Sequence, residues 1–195
     1  MNRGRPLEFD RETALDAAVD LFWSRGYEAT SLQGLLEAMG IGRSSFYQAF
    51  GSKGELYLVA VERYRDSLVA ELRASLDAAD SGIGFIADTL RAVGDDASSL
   101  DARRGCLVFN SAAEFGQKNR AVAGRIAASI DAFTEVFADA VRRAQEDGDI
   151  APAQDPRFLG RFLVCAMSGL RTLCKAGASR EELIRLADHA VTSLH

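Results

Sequence analysis

Residues 39–56 read MGIGRSSFYQAFGSKGEL, a stretch in which glycine and serine mark one helix end and two helix starts. Residues 40–42, Gly-Ile-Gly, form a short turn after an apolar helical segment. A short helix is predicted over residues 43–49, and Ser52 is a typical N-cap for a longer helix. The stretch therefore predicts a compact helical unit built around one tight turn.

The residues ahead of this turn supply the other helices that such a unit needs. A first helix is predicted over residues 10–25, because its apolar residues recur every three or four positions and Gly26 stops it. Thr30 or Ser31 caps the short second helix. Two short helices joined by a tight turn behind an amphipathic helix form a helix-turn-helix, so residues 1–54 are predicted to be a DNA-binding domain.

The rest of the chain also follows the helical period, and no segment alternates between apolar and polar residues as a strand does. Alanine and leucine recur throughout, and only three prolines are present. The sequence therefore predicts an all-α fold. An N-terminal helix-turn-helix domain is followed by a C-terminal helical bundle over residues 55–195.

Charge and composition limit the partners. The formal net charge of −5 argues against non-specific nucleic-acid binding. A sequence-specific binder needs only a local basic surface, because phosphate charges act over a Debye length of ~8–10 Å. No apolar run reaches the ~20 residues of a membrane span, and the basic N-terminus leads into acidic rather than apolar residues. We expect a cytoplasmic protein that does not enter the membrane.

The sequence offers little for catalysis. Its two histidines, His189 and His195, both lie near the C-terminus, and no phosphate loop or nucleophile elbow is present. The three cysteines are unevenly spaced and form neither a disulfide framework nor a Cys-x-x-Cys metal motif. We therefore expect no catalytic residue, no metal and no cofactor. A helical adaptor that does not bind DNA stays open as an alternative.

The third helix presents polar side chains suited to DNA. In a helix-turn-helix the second helix of the pair enters the major groove, where arginine bonds guanine and glutamine bonds adenine. Ile41, Phe46 and Phe50 take the inward positions. A polar face that only meets water is the alternative. The outward side chains are Arg43, Ser44, Ser45, Tyr47 and Gln48.

Residues 26–32, GYEATSL, together with residues 39–56, resemble the TetR/AcrR family of transcriptional regulators. The family pattern is approximately Gly-Tyr/Phe-x-x-Thr-Ser/Thr, then Gly-Val-Ser-x-Gly-x-Leu-Tyr-x-His-Phe-x-Ser-Lys-x-x-Leu. This chain departs from it at Gly42, where serine is usual, and at Ala49, near the usual histidine. The resemblance implies a repressor that binds a palindromic operator as a homodimer and is released by an effector.

The resemblance also assigns phosphate contacts to Tyr47, Lys53 and either Thr30 or Ser31. Lys53 lies in the first turn of the fourth helix, where the helix dipole disfavours a cation, so we expect it to serve a partner. A solvated lysine is the alternative.

A basic arm precedes the first helix. Arg3 and Arg5 lie in the run Arg-Gly-Arg-Pro, and such arms reach into the minor groove. A terminus with no role is the other interpretation.

Residues 104–115, RGCLVFNSAAEF, are similar to a Gly-Cys-Leu-x-x-Asn-x-Ala-x-Glu block in one C-terminal branch of the family. At 100° per residue, Cys106, Asn110 and Glu114 share one stripe of a helix. A polar stripe inside a bundle must bond to something, and ligand, water and neighbouring side chains all stay open. We take these residues as candidates for effector sensing.

Cys106 is the candidate chemical sensor. It is predicted in the first turn of a helix, directly after Arg103 and Arg104, and both the helix dipole and these cations stabilise a thiolate. Thiolates are what oxidants and electrophiles attack. In this branch some members sense reactive species through a cysteine of this block, and a lysine near Lys175 accompanies it. A packed, inert cysteine and a non-covalent apolar effector are the alternatives.

The last two helices, about residues 156–175 and 179–194, resemble the family's dimerisation pair. Phe158, Phe162 and Leu173 belong to the apolar face of the first, and Lys175 lies on the opposite side. This apolar arc is wider than one contact face requires, which fits a helix packed against both its own domain and a partner. A homodimer through these helices is expected.

Overall fold

The computed structural model describes residues 9–97, 99, 104–116 and 119–194. This part of the chain contains no strand and confirms the all-α prediction. The predicted arm residues Arg3 and Arg5, and Arg103 beside the cysteine, lie outside the described residues. The helices are α1 Arg11–Arg25, α2 Leu32–Met39, α3 Arg43–Phe50, α4 Lys53–Ala78, α5 Gly82–Asp95, α6 Leu107–Phe115, α7 Arg120–Glu146, α8 Pro156–Lys175 and α9 Arg180–Thr192.

Side-chain caps set the starts of the N-terminal helices. The Asp10 carboxylate accepts from the Glu12 amide, and the Ser31 and Ser52 hydroxyls accept in the same way at α2 and α4. At the end of α2, Gly40 adopts φ 64°, a left-handed conformation that glycine enters without steric strain. These caps fix the angle between α2 and α3, and therefore the orientation of α3.

The N-terminal helices pack around aromatic and aliphatic side chains. Phe22, Leu35 and Phe46 are fully buried, and Ile41 and Phe50 face inward as predicted. Burying a side chain of this size contributes ~1.5–3 kcal/mol. This core leaves the opposite face of α3 exposed.

The C-terminal bundle is held by close helix contacts. A Cβ on Gly160 of α8 would lie 2.6 Å from the Thr134 carbonyl oxygen of α7, and one on Gly82 of α5 would lie 2.3 Å from the Ala140 carbonyl oxygen. Only glycine permits these approaches. The long helix α7 therefore packs directly against both α5 and α8.

The wide apolar arc of α8 covers two sides of the helix. The apolar face that sequence periodicity defines points outward, with Phe158 70% and Phe162 37% exposed. The adjacent face, with Leu159, Leu163 and Leu170, packs inside the chain. Periodicity locates an apolar stripe but does not say what covers it.

Within the described ranges, no helix is long and apolar enough to cross a membrane. In the same ranges, no group of three or more His, Cys, Asp or Glu side chains could hold a metal ion.

Candidate nucleic-acid interface and effector site

The exposed face of α3, termed the reading surface, consists of the five predicted side chains. Its N-cap, Gly42, has no side-chain hydrogen bond to the helix, so backbone amides at the start of α3 lack an internal partner. Tyr47 is 49% exposed, while the neighbouring Phe46 is buried and meets the Tyr47 ring edge-on. The members are Arg43, Ser44, Tyr47 and Gln48, which are exposed, and Ser45, which is half-buried.

The two candidate hydroxyls at the start of α2 lie in different environments. Ser31 is exposed, and its side chain caps α2 by accepting from the Gly34 amide at 3.0 Å. Thr30 is fully buried, and its hydroxyl donates to the Gly26 carbonyl at 2.6 Å. Its side chain therefore cannot reach DNA, which corrects its place among the predicted contacts.

Lys53 has a partner that sequence reasoning missed. Its Nζ lies 4.1 Å from the centroid of the Tyr27 ring, and the side chain is half-buried. Such a cation–π contact is worth ~0.5–1 kcal/mol at an exposed site. It offsets the unfavourable helix dipole and holds the ammonium over the Tyr27 ring.

Glu114 lies away from the other candidate sensing residues. Its carboxylate accepts from the Tyr27 amide at 3.0 Å and from the Glu28 amide at 2.7 Å, in the connection between α1 and α2. The three polar residues of the α6 stripe therefore do not share one site, because the last turn of that helix packs against the N-terminal helices. Glu114 therefore does not line the cavity of the other candidates, and its carboxylate joins the two halves of the molecule.

Residues at the start of α6 also contact α1. The indole Nε1 of Trp23 donates to the Gly105 carbonyl at 3.0 Å, and Arg104 forms an ion pair with Asp20 at 2.5 Å. Arg104 also stacks on the Trp23 ring. The guanidinium expected to stabilise a thiolate is therefore engaged by Asp20 and Trp23. Together with Glu114, these contacts form the α6 bridge between the C-terminal bundle and the helix-turn-helix.

An aromatic cluster lies under the α6 bridge. The Tyr57 ring on α4 packs 4.9 Å from Phe22 and 5.3 Å from Phe115. Its hydroxyl forms a 2.6 Å hydrogen bond with Ser111, whose own hydroxyl donates to the Leu107 carbonyl. Burial raises the pKa of Tyr57 to about 12.

Cys106, Asn110 and Lys175 line one cavity of about 240 Å³ between α6 and α8. Lys175 Nζ donates to the Asn110 side-chain oxygen at 3.3 Å, and the Asn110 amide donates to the Arg104 carbonyl at 2.8 Å. The helical wheel placed Lys175 opposite the apolar face of α8, and that side turns toward α6. The structure therefore brings three of the four candidate sensing residues together.

Cys106 is buried, and it is the N-cap of α6 rather than a residue of its first turn. It also lines a second, apolar cavity of about 40 Å³ with side chains such as Phe133 and Phe137. Burial, and then the neighbouring Cys106, to which the Tyr64 hydroxyl hydrogen-bonds, raise the pKa of Tyr64 above its usual range. The thiol therefore lies between a polar and an apolar cavity. Of the other cysteines, Cys165 is exposed and Cys174 is buried.

Comparisons with known proteins identify both halves of the chain. Residues 14–60 match the family described as bacterial regulatory proteins, tetR family, and residues 86–190 match the tetracyclin repressor-like C-terminal domain. The HTH-type transcriptional repressor ComR of Escherichia coli K12 is 32% identical over 187 residues, which cover 95% of this chain and 89% of ComR.

Solved structures agree over nearly the full length. A cysteine-substituted variant of the TetR family transcriptional regulator CifR, in complex with 26-base-pair operator DNA, superposes with a TM-score of 0.83. It is 35% identical, and the match covers 98% of this chain and 100% of that one. Reduced NemR of E. coli gives a TM-score of 0.83 at 20% identity, with 94% and 96% coverage, which shows a shared fold. These relatives are regulators rather than enzymes, as expected for this chain. From the two domain matches and the full-length similarity, the chain belongs to the TetR family of bacterial transcriptional regulators.

Proposed function

We propose that the protein is a transcriptional repressor that binds a palindromic operator as a homodimer and is released by an effector acting on its C-terminal domain. The observation that carries the proposal is the exposed reading surface on a rigid, capped core, in a chain 35% identical to a regulator solved on operator DNA. We retain the division into residues 1–54 and 55–195 as part of this proposal. Helix α4 continues across it from Lys53 to Ala78 and connects the two domains.

In this proposal the reading surface divides into base and phosphate contacts. Arg43 and Gln48 read base edges, because their side chains can form bidentate hydrogen bonds with guanine and adenine. Tyr47, Lys53 and Ser31 bind phosphates beside the groove. The remaining contacts are the Ser44 and Ser45 hydroxyls on the same helix, with Arg3 and Arg5 reaching the minor groove.

The proposed dimer uses the outer faces of α8 and α9. Phe158, Phe162 and Leu173 on α8 and Leu186 on α9 are exposed large apolar side chains. Several exposed large apolar side chains on neighbouring helices favour a protein–protein interface there. A two-fold axis would place the same patch of each protomer in contact.

For the effector we favour an oxidant or electrophile that reacts at Cys106. The support is the position of this thiol between two cavities, with Lys175 lining one of them. Its burial means that the reagent must enter through a cavity. A non-covalent apolar effector is the second candidate, and the apolar cavity near Phe133 and Phe137 favours it.

A mobility-shift assay with DNA from upstream of the protein's own gene tests the DNA-binding part. Arg43→Ala should weaken binding to the specific site by roughly 1–3 kcal/mol and relax specificity at one base position. Lys53→Ala should weaken binding to all sequences and lower the salt slope by about one. An equal loss on operator and random DNA for both variants would contradict these roles, and no shift by the wild type would favour a helical adaptor.

A further inference from the structure

Arg171 is a partly buried arginine that lines two further cavities together with the carboxylates of Asp16, Asp20, Glu71 and Asp88. None of these described carboxylates forms an ion pair with it. It lies on α8, and within the described residues no ion pair or hydrogen bond engages its guanidinium. Other arginines of the same bundle, such as Arg161 with Asp131 and Arg91 with Asp188, form ion pairs. A guanidinium withdrawn from water without a counter-ion is unfavourable unless an anion reaches it.

Among the described residues, the cavity of about 240 Å³ that Arg171 lines has a second cation and no carboxylate. Lys175 lies four residues after Arg171, so both extend from the same side of α8. In the same part of the chain, Lys175 donates one hydrogen bond, to the neutral Asn110 amide at 3.3 Å. The other polar side chains around the cavity, Ser168 and Thr172, are uncharged. The cavity therefore attracts an anion.

The adjoining cavity supplies an apolar surface. Arg171, Cys106 and Phe109 line both cavities, and the second one continues to Phe133 and Phe137. The volumes, about 240 and about 40 Å³, lie below the roughly 300–1,000 Å³ usual for drug-sized ligands. Charge on one side and aromatic rings on the other favour a small molecule with an anionic group and a short apolar body.

We propose that Arg171 and Lys175 bind the carboxylate of a small organic acid, whose apolar body lies against Phe109 beside Cys106. The planar fork of arginine matches a carboxylate in a bidentate geometry, and Lys175 adds a point charge. This inference rests on the proposed function in taking the C-terminal domain as a sensor, and it names the chemical class of the ligand. Binding of the acid requires no reaction at the thiol.

Calorimetric titration of the full-length protein tests the site, with hexanoate and benzoate as probes. Each acid is compared with its neutral amide, and inorganic phosphate is titrated separately. We expect the acids to bind, and the amides and phosphate to bind at least about tenfold more weakly, because charge and apolar body act together. Equal binding of acid and amide would overturn the proposal. So would equal binding of phosphate, or no binding of either acid at about 10 mM, where a Kd of about 1 mM gives near-saturation.

Substitutions distinguish benzoate binding at the proposed site from attraction by the general surface charge. Arg171→Gln should weaken benzoate binding at least about tenfold, and Arg171→Lys should restore part of it. Arg185→Gln removes an exposed arginine of α9 and should leave binding unchanged. Lys175→Gln is a second variant, should Arg171→Gln fail to fold, and it should also weaken benzoate binding. Wild-type affinity in a folded Arg171→Gln protein or, if that variant does not fold, in Lys175→Gln would overturn the assignment.

The same samples distinguish failure of the site from failure of the proposed function. Cys106→Ser should bind benzoate as the wild type does, because the thiol takes no part in anion binding, and a loss of binding there would contradict this assignment. Operator titration with and without benzoate is the separate test of release. If benzoate binds but leaves operator affinity unchanged, the anion site stands and the release proposed for this ligand fails.

Discussion

At the scale of single residues, Glu114 makes the contact that most directly joins the C-terminal bundle to the helix-turn-helix half. Its two carboxylate oxygens accept from consecutive backbone amides of Tyr27 and Glu28, so neither amide is left unsatisfied. The pair also fixes the connection between α1 and α2, on which the cap of α2 depends. A small chemical change at this carboxylate should therefore affect the packing of both halves.

Glu114→Gln tests this connection with almost no change in shape. One acceptor oxygen becomes an amide donor that faces a backbone amide, so the free energy of unfolding should fall by about 1–3 kcal/mol in urea denaturation. The exposed Glu146→Gln, at the end of α7, is the matched control and should change stability by less than about 0.5 kcal/mol. Equal effects of the two substitutions would mean that the α6 bridge contributes nothing specific.

Tyr57 gives the protein a predictable response to alkaline pH. Its pKa is raised from about 10 in the unfolded chain to about 12 in the folded protein. The stabilisation is therefore complete below pH ~10 and is lost as pH rises toward ~12, by up to about 2 kcal/mol. Tyr57→Phe should reduce the slope of stability against pH in this window. Tyr64 contributes with the same sign, so part of the slope should remain. An unchanged slope in the variant would contradict the prediction.

At the scale of helices, capping signals were enough to locate most helix ends from the sequence. Ser52 caps the helix it was expected to cap, and Ser31 rather than Thr30 caps α2, because a side-chain cap is a local interaction. The contacts of Trp23 and Glu114 were not predictable, since their partners lie 82 and 87 residues away along the chain. The wide apolar arc of α8 was expected, but which part of it faces the chain's own core was not predictable, because an apolar stripe looks the same whether it faces its own core or a partner.

The outer face of α8 predicts the oligomeric state. Phe158 is 70% exposed in the single chain, so Phe158→Glu should leave the protomer folded while placing a charge in the proposed interface. Sedimentation velocity should give a dimer for the wild type and a monomer for the variant, with circular dichroism unchanged. Cys165→Ser, at another exposed position of α8, is the control and should remain dimeric. A wild type that is monomeric at every concentration would refute the proposed dimer.

At the scale of the whole molecule, α6 links the cavity to the DNA-reading helices. Its start lies at Cys106 and the cavity, and its end contacts the α1–α2 connection through Glu114 and Phe115. A change at the cavity can therefore alter how α1 is held, and with it the spacing of two recognition helices in a dimer. Effector and operator would then weaken each other's binding by the same factor, typically about 1–3 kcal/mol.

Operator binding before and after hypochlorite treatment tests this account most directly. The samples are the wild type, Cys106→Ser and the Cys165→Ser/Cys174→Ser double variant. Oxidation of Cys106 would add bulk and polarity between the two cavities, and a shift of a few kcal/mol is enough to release DNA. The account predicts that the wild type and the double variant lose the operator while Cys106→Ser retains it. Equal release of all three would contradict it and leave Cys106 as a packing residue.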